Sequence, residues 1–153
     1  MSGIGVDGSG AAFSGMGIDC ADYNNEGWPD FIITDLANQR YALFSNLRDG
    51  TFDYATNSTG LGAISQLHSG WGVRFLDYDN DGWKDLFIAQ SHVMDTIEVS
   101  EPHLRYRESP LLLHNQGARS FWTSQVRLGR FFSNGGQRGA WLLAIKTMMG
   151  RLT

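Results

Sequence analysis

The run Asp77-Tyr78-Asp79-Asn80-Asp81-Gly82-Trp83-Lys84-Asp85-Leu86-Phe87-Ile88 joins a curled acidic loop to an apolar segment. Side-chain oxygens at the alternate positions 77, 79 and 81 converge on one point, and Gly82 permits the sharp turn. The Trp83 carbonyl can point inward, and Asp85 closes the sphere. Calcium takes about six to eight oxygen ligands at about 2.3–2.6 Å, which such a loop supplies. An EF-hand would need a glutamate at the twelfth position of the loop and helices on both sides. Here the twelfth position is Ile88, and Leu86-Phe87-Ile88-Ala89 reads as a strand.

The same design occurs earlier in the chain. Ser14 to Ile33 aligns with Ser69 to Ile88 without a gap, at an offset of 55 residues (77 − 22). The first loop is Asp22-Tyr23-Asn24-Asn25-Glu26-Gly27-Trp28-Pro29-Asp30. Its candidate ligands are Asp22, Asn24, Glu26, the Trp28 carbonyl and Asp30; those of the second are Asp77, Asp79, Asp81, the Trp83 carbonyl and Asp85. The first loop offers one carboxylate fewer and a longer Glu26, so the second is expected to bind calcium more tightly. Clustered carboxylates repel at neutral pH unless a cation sits among them, so both sites read as structural pins.

Each copy runs on to a second shared landmark: Leu43-Phe44-Ser45-Asn46 with Gly50-Thr51-Phe52, and Leu112-Leu113-His114-Asn115 with Arg119-Ser120-Phe121. Asn46 and Asn115 are 69 apart (115 − 46), so the second copy carries about fourteen extra residues, placed in a polar inserted loop at 92–110. Short aromatic or β-branched segments between Gly, Asn and Asp turns predict four strands per copy. They are placed at 15–21, 30–35, 41–45 and 51–55, then 70–76, 85–89, 110–114 and 120–125. Four strands in each unit of about 55 residues is the arithmetic of a β-propeller blade. The expected fold class is therefore all-β, about two four-stranded blades of a partial propeller. The expected organisation is a glycine-rich lead-in at 1–13, a first blade at 14–60, a second at 61–129 and the start of a third at 130–153.

Composition agrees and excludes several classes. Nineteen glycines with 12% aromatics suit short strands, tight turns and aromatic packing between sheets. A net charge of −4, concentrated in the aspartate loops, leaves no basic face for nucleic acid. One cysteine, Cys20, rules out an internal disulfide and a multi-thiolate zinc site; it is expected to be small, apolar and buried. No stretch approaches the roughly 20 apolar residues of a membrane span, and the first residues lack the basic and apolar regions of a signal peptide.

At these loops, and over roughly Gly15 to Gln125, the sequence resembles the FG-GAP/VCBS repeat family, the calcium-loop propeller blades of integrin α-subunit heads. Its Gly15-Met16-Gly17-Ile18-Asp19, Asp35-Leu36-Ala37-Asn38-Gln39-Arg40-Tyr41 and Glu101-Pro102-His103-Leu104-Arg105-Tyr106-Arg107 resemble more narrowly the bacterial repeat proteins related to cartilage acidic protein, of the ASPIC/UnbV type. That resemblance implies a seven-bladed or similar ring, of which this chain is a fragment. It implies an exported protein, extracellular, periplasmic or on the cell surface, that binds a protein or glycan through its loops and is not an enzyme. The chain departs from the family in covering about two blades and in lacking a segment assignable to the C-terminal ASPIC/UnbV domain. The rival expectation is a fragment of a propeller-based extracellular enzyme, such as a polysaccharide lyase, with its active site outside this chain.

The tail departs from the repeat. A third aspartate loop is expected after Gly139, yet the sequence reads Ala140-Trp141-Leu142-Leu143-Ala144-Ile145-Lys146-Thr147-Met148-Met149-Gly150-Arg151-Leu152-Thr153. In the frame joining each codon's third base to the next two, Met148–Met149 must encode aspartate and Met149–Gly150 glycine. That frame allows Asp-Lys/Gln-Asn/Asp-x-Asp-Gly-x-x-Asp, so the last fourteen or so residues are expected to be a frameshifted third blade. Elsewhere, His68, His92, His103 and His114 show no metal-ligand spacing and no His-Glu-x-x-His. His114 aligns with Ser45 and reads as a blade position; His92 and His103 flank the insertion, where they can face a ligand. Trp28 and Trp83 hold equivalent loop positions and are expected to pack between blades.

Overall fold

A computed structural model describes residues 4–117 and 120–123. The proposed frameshifted tail and the start of a third blade lie outside these residues, as does the end of the last expected strand.

The first sheet contains β1 (Gly17–Ala21), β2 (Asp30–Thr34), β3 (Ala42–Asn46) and β4 (Phe52–Tyr54), hydrogen-bonded in that order. A short helix, α1 (Leu61–Ser65), leads to a second sheet of β5 (Gly70–Leu76), β6 (Asp85–Gln90), β7 (Leu111–Asn115) and β8 (Phe121–Thr123), again in sequence order. Every neighbouring pair is antiparallel, giving two successive four-stranded meanders, as blades of a propeller are built. The registers repeat with the sequence: Ala21 pairs Asp30 as Leu76 pairs Asp85, and Asn46 pairs Phe52 as Asn115 pairs Phe121. Strand limits fall within two residues of expectation wherever both ends are described.

The two helices among the described residues, α1 and α2 (Ile97–Ser100), were not legible in the sequence. Five and four residues are too few to display a helical period. Leu61 and Ile97 nonetheless anchor them in the interior. α2 lies in the inserted loop, which folds back on the sheet. His92 N–H donates to the Tyr106 carbonyl at 3.0 Å, and Glu108 accepts from Ser69 N–H at 3.1 Å and meets His68 Nδ1 at 2.6 Å.

The main core lies between the sheets. Tyr23, Ile32, Tyr41 and Leu43 of the first unit meet Phe75, Leu86, Ile88 and Leu113 of the second. Close approach demands glycine at two points. A Cβ at Gly17 would stand 2.7 Å from the Trp71 carbonyl oxygen, and one at Gly70 would stand 2.8 Å from Thr34 Cβ and Tyr41 Oη. Asp19, on the face of β1 turned to the second sheet, accepts from Phe75 N–H at 2.8 Å. Ile18 and Cys20 point the other way and are exposed. The expectation of a buried Cys20 therefore fails, because alternation along a strand sends it to the face that the second sheet does not cover.

Candidate metal centre

Each aspartate loop closes a hairpin, the first between β1 and β2, the second between β5 and β6. Their backbones match. Asn25 and Gly27 take φ of 56° and 86°, and Asn80 and Gly82 take 60° and 89°. That left-handed region is cheap only for glycine and tolerable for asparagine. The leading aspartate supports the curl: Asp22 accepts from the N–H of Glu26 (2.9 Å) and Gly27 (2.7 Å), and Asp77 from those of Asp81 (3.1 Å) and Gly82 (3.0 Å).

The closing aspartate ties loop to sheet. Asp30 accepts from Tyr23 N–H at 3.1 Å and Asn46 N–H at 2.9 Å; Asp85 accepts from Tyr78 N–H at 3.0 Å and Asn115 N–H at 2.9 Å. The shared asparagine answers with its own amide. Asn46 Nδ2 donates to the Pro29 carbonyl at 3.1 Å, and Asn115 Nδ2 to the Lys84 carbonyl at 3.0 Å. Both closing carboxylates are buried. Burial pushes Asp30 up from the ordinary 3.8 to about 6, against the pull of its two backbone donors. Burial also raises Asp85. Carboxylates held this way gain from a nearby cation, which offsets both desolvation and mutual repulsion.

The loops differ in what they assemble. Asp77, Asp79 and Asp85 each offer a carboxylate oxygen, all within 4.8 Å of one another. Oxygens about 2.4 Å from one calcium ion lie at most about 4.8 Å apart across it, so this spacing suits a single ion. Among the described residues, no such group of three forms in the first loop. There Glu26 turns outward to Arg48, Oε2 to Nη2 at 2.6 Å, and Asn24 accepts from Glu26 N–H at 3.2 Å. The two loops are neighbours at one end of the pair of sheets. Asn25 Nδ2 donates to the Gly82 carbonyl at 3.1 Å, and Asn115 Nδ2 reaches the Tyr23 carbonyl at 2.8 Å.

Sequence spacing missed His114. It sits on β7, far from the second loop in sequence, but β7 pairs with β6 and brings the ring back to the loop. Its Nδ1 lies 3.3 Å from Asp79 Oδ2 and 3.2 Å from Asp85 Oδ1, and its Nε2 lies 3.9 Å from Asp81 Oδ2. The usable signal was the replacement of Ser45 by His114 at one repeat position. The other histidines serve structure or surface: His92 Nδ1 accepts from Met94 N–H at 3.1 Å, and exposed His103 lies 3.6 Å from Glu101. Trp28 is not packed between the sheets as expected. Trp28 is half exposed, and the Trp83 ring lies over Gly117 within its own unit.

Residues 22–88 match the FG-GAP-like repeat. The match begins at the first residue of the first loop and ends in the strand after the second, and it supports the FG-GAP repeat family. No curated protein matches the chain. Among the described residues, no helix is long and apolar enough to cross a membrane.

Proposed function

We propose that this chain is a calcium-binding module of a β-propeller, a non-catalytic scaffold that presents its loops to a protein or glycan ligand outside the cytoplasm. The supporting observation is the convergence of Asp77, Asp79 and Asp85 in a turn that the first unit duplicates at Asp22 to Asp30. In this reading Asp81 and the Trp83 carbonyl complete the second site. The first loop, with Asp22, Asn24, Glu26, the Trp28 carbonyl and Asp30, is the weaker one, since Glu26 must leave Arg48 to take part. The module is part of a longer ring of the kind its resemblance to the bacterial repeat proteins related to cartilage acidic protein implies. Its tail after Arg138 belongs to a frameshifted third blade, which the nucleotide sequence checks directly.

The test is a thermal melt with and without calcium. At 100 times its dissociation constant, one site adds about 2.7 kcal/mol. For a chain of this size that raises the melting temperature by roughly 5–10 °C. Asp79→Ala should remove most of the rise, whereas Glu26→Ala should leave most of it. An unchanged melting temperature at millimolar calcium would overturn the metal assignment.

A further inference from the structure

His114 gives the second loop a ligand that calcium does not use. Nδ1 of this ring is buried and has no hydrogen-bonding partner among the described residues, although two carboxylate oxygens stand 3.2 and 3.3 Å away. Distance alone therefore does not make a hydrogen bond here; the ring nitrogen faces the carboxylates out of alignment. Such an atom is costly unless something fills the gap. Asp79, Asp81 and His114 each offer one ligand atom within 4.8 Å of the others, and Asp79 also belongs to the all-oxygen triad with Asp77 and Asp85. The ring is held in place by Tyr78, edge-on at 6.0 Å, and by Trp122 at 5.9 Å. In the first unit the same position is Ser45, whose hydroxyl pairs with Tyr23 Oη at 2.8 Å.

We propose that the second loop is a mixed nitrogen–oxygen site that takes a borderline divalent transition ion, zinc in particular, through the His114 imidazole and the Asp79 and Asp81 carboxylates. Calcium is a hard ion bound by oxygen alone, whereas imidazole suits zinc and its neighbours. A ligand sphere about 2.0–2.2 Å in radius spans at most about 4.4 Å, so the cluster needs only a small contraction to close on zinc. Because Asp79 is common to both triads, the two ions compete for one loop. The first loop, with Ser45 in place of the histidine, takes no part. This inference rests on the reading of the second loop as a cation site.

The experiment is isothermal titration of the whole chain with zinc chloride and, separately, calcium chloride, followed by zinc titration in the presence of calcium. The wild type should bind zinc more tightly than calcium, and added calcium should weaken zinc. His114→Ser, which installs the first unit's own residue, should weaken zinc at least tenfold and leave calcium affinity within about twofold. His114→Gln provides a second variant, and circular dichroism checks that both fold. Asp77→Asn should weaken calcium more than zinc. Equal zinc affinity in the wild type and both folded His114 variants overturns the proposal while leaving the calcium site standing. So does calcium binding without zinc binding. Binding of neither ion overturns the proposal and the calcium reading together.

Discussion

The carboxylate of Asp35 lies just beyond β2 and is 1% exposed. Its Oδ1 accepts from Leu36 N–H at 2.9 Å and Ser14 N–H at 3.2 Å, which ties the lead-in to the first sheet. Burial nevertheless raises its pKa above the ordinary 3.8, with these donors opposing the shift. A raised carboxylate means that the folded state holds the proton more tightly than the unfolded chain. Asp35 therefore favours folding most at low pH, and that contribution is lost as pH climbs through its raised value. Asp35→Asn keeps an oxygen for both backbone donors and carries no charge. Its melting temperature, measured against wild type between pH 4 and pH 8, should gain on the wild type as pH rises. A constant difference would show that Asp35 is not charged at a cost. Single residues also mark where sequence reading stops. The alternation that exposes Cys20 was readable only once the covered face of the first sheet was known. The approach of His114 to Asp79 depends on the pairing of β7 with β6, which no local spacing encodes.

At the scale of elements, the closing aspartate and the shared asparagine form one bracket per unit, joining the end of β3 or β7 to the hairpin beside it. The brackets are unequal. Among the described residues Asn46 Nδ2 holds only the Pro29 carbonyl and is partly exposed, whereas buried Asn115 holds the carbonyls of both Lys84 and Tyr23. Each buried carbonyl left without a donor costs about 1–3 kcal/mol. Asn115→Ala should therefore destabilise by about 2–5 kcal/mol in urea unfolding, and Asn46→Ala by about 1 kcal/mol. Equal losses would mean that the link from β7 to the first loop carries no weight. These brackets also explain why the strands were so legible. Turn chemistry, the left-handed Asn and Gly positions and the apolar runs are local signals, and two gap-free copies confirm one another. The candidate carboxylates were legible for the same reason. The helices were not, because α1 and α2 exist through the burial of Leu61 and Ile97 in places set by distant strands. Neither was the pairing of Glu26 with Arg48, which brings together residues on different hairpins.

The described residues form two repeats that share one interface, and the repeat makes the uncovered side interpretable. On the second sheet Val73, Phe75, Leu86, Ile88 and Leu113 face the first sheet and form the core or pack on it. Their counterparts in the first unit, at the offsets of 55 and 69, are Ile18, Cys20, Phe31, Ile33 and Phe44. Register places Ile18 opposite Ile33, Cys20 opposite Phe31 and Phe31 opposite Phe44, so all five share one face. Part of that face is closed from within. Phe13 stands edge-on to Phe44 at 5.9 Å, and Phe44 to Tyr54 at 5.6 Å. The half formed by β1 remains open, with Ile18 64% exposed and Cys20 exposed. A face whose counterpart is buried by a preceding sheet is shaped for another sheet of the same kind, and repeat units bury such faces only against neighbours. The isolated chain should therefore self-associate through it, with a sedimentation coefficient that rises with concentration. Ile18→Arg places a charge in the open half and touches nothing in the core between the sheets. It should move the chain toward monomer while changing unfolding free energy by no more than about 0.5 kcal/mol. If wild type and Ile18→Arg sediment alike at every concentration, the lead-in alone is sufficient cover for the first blade.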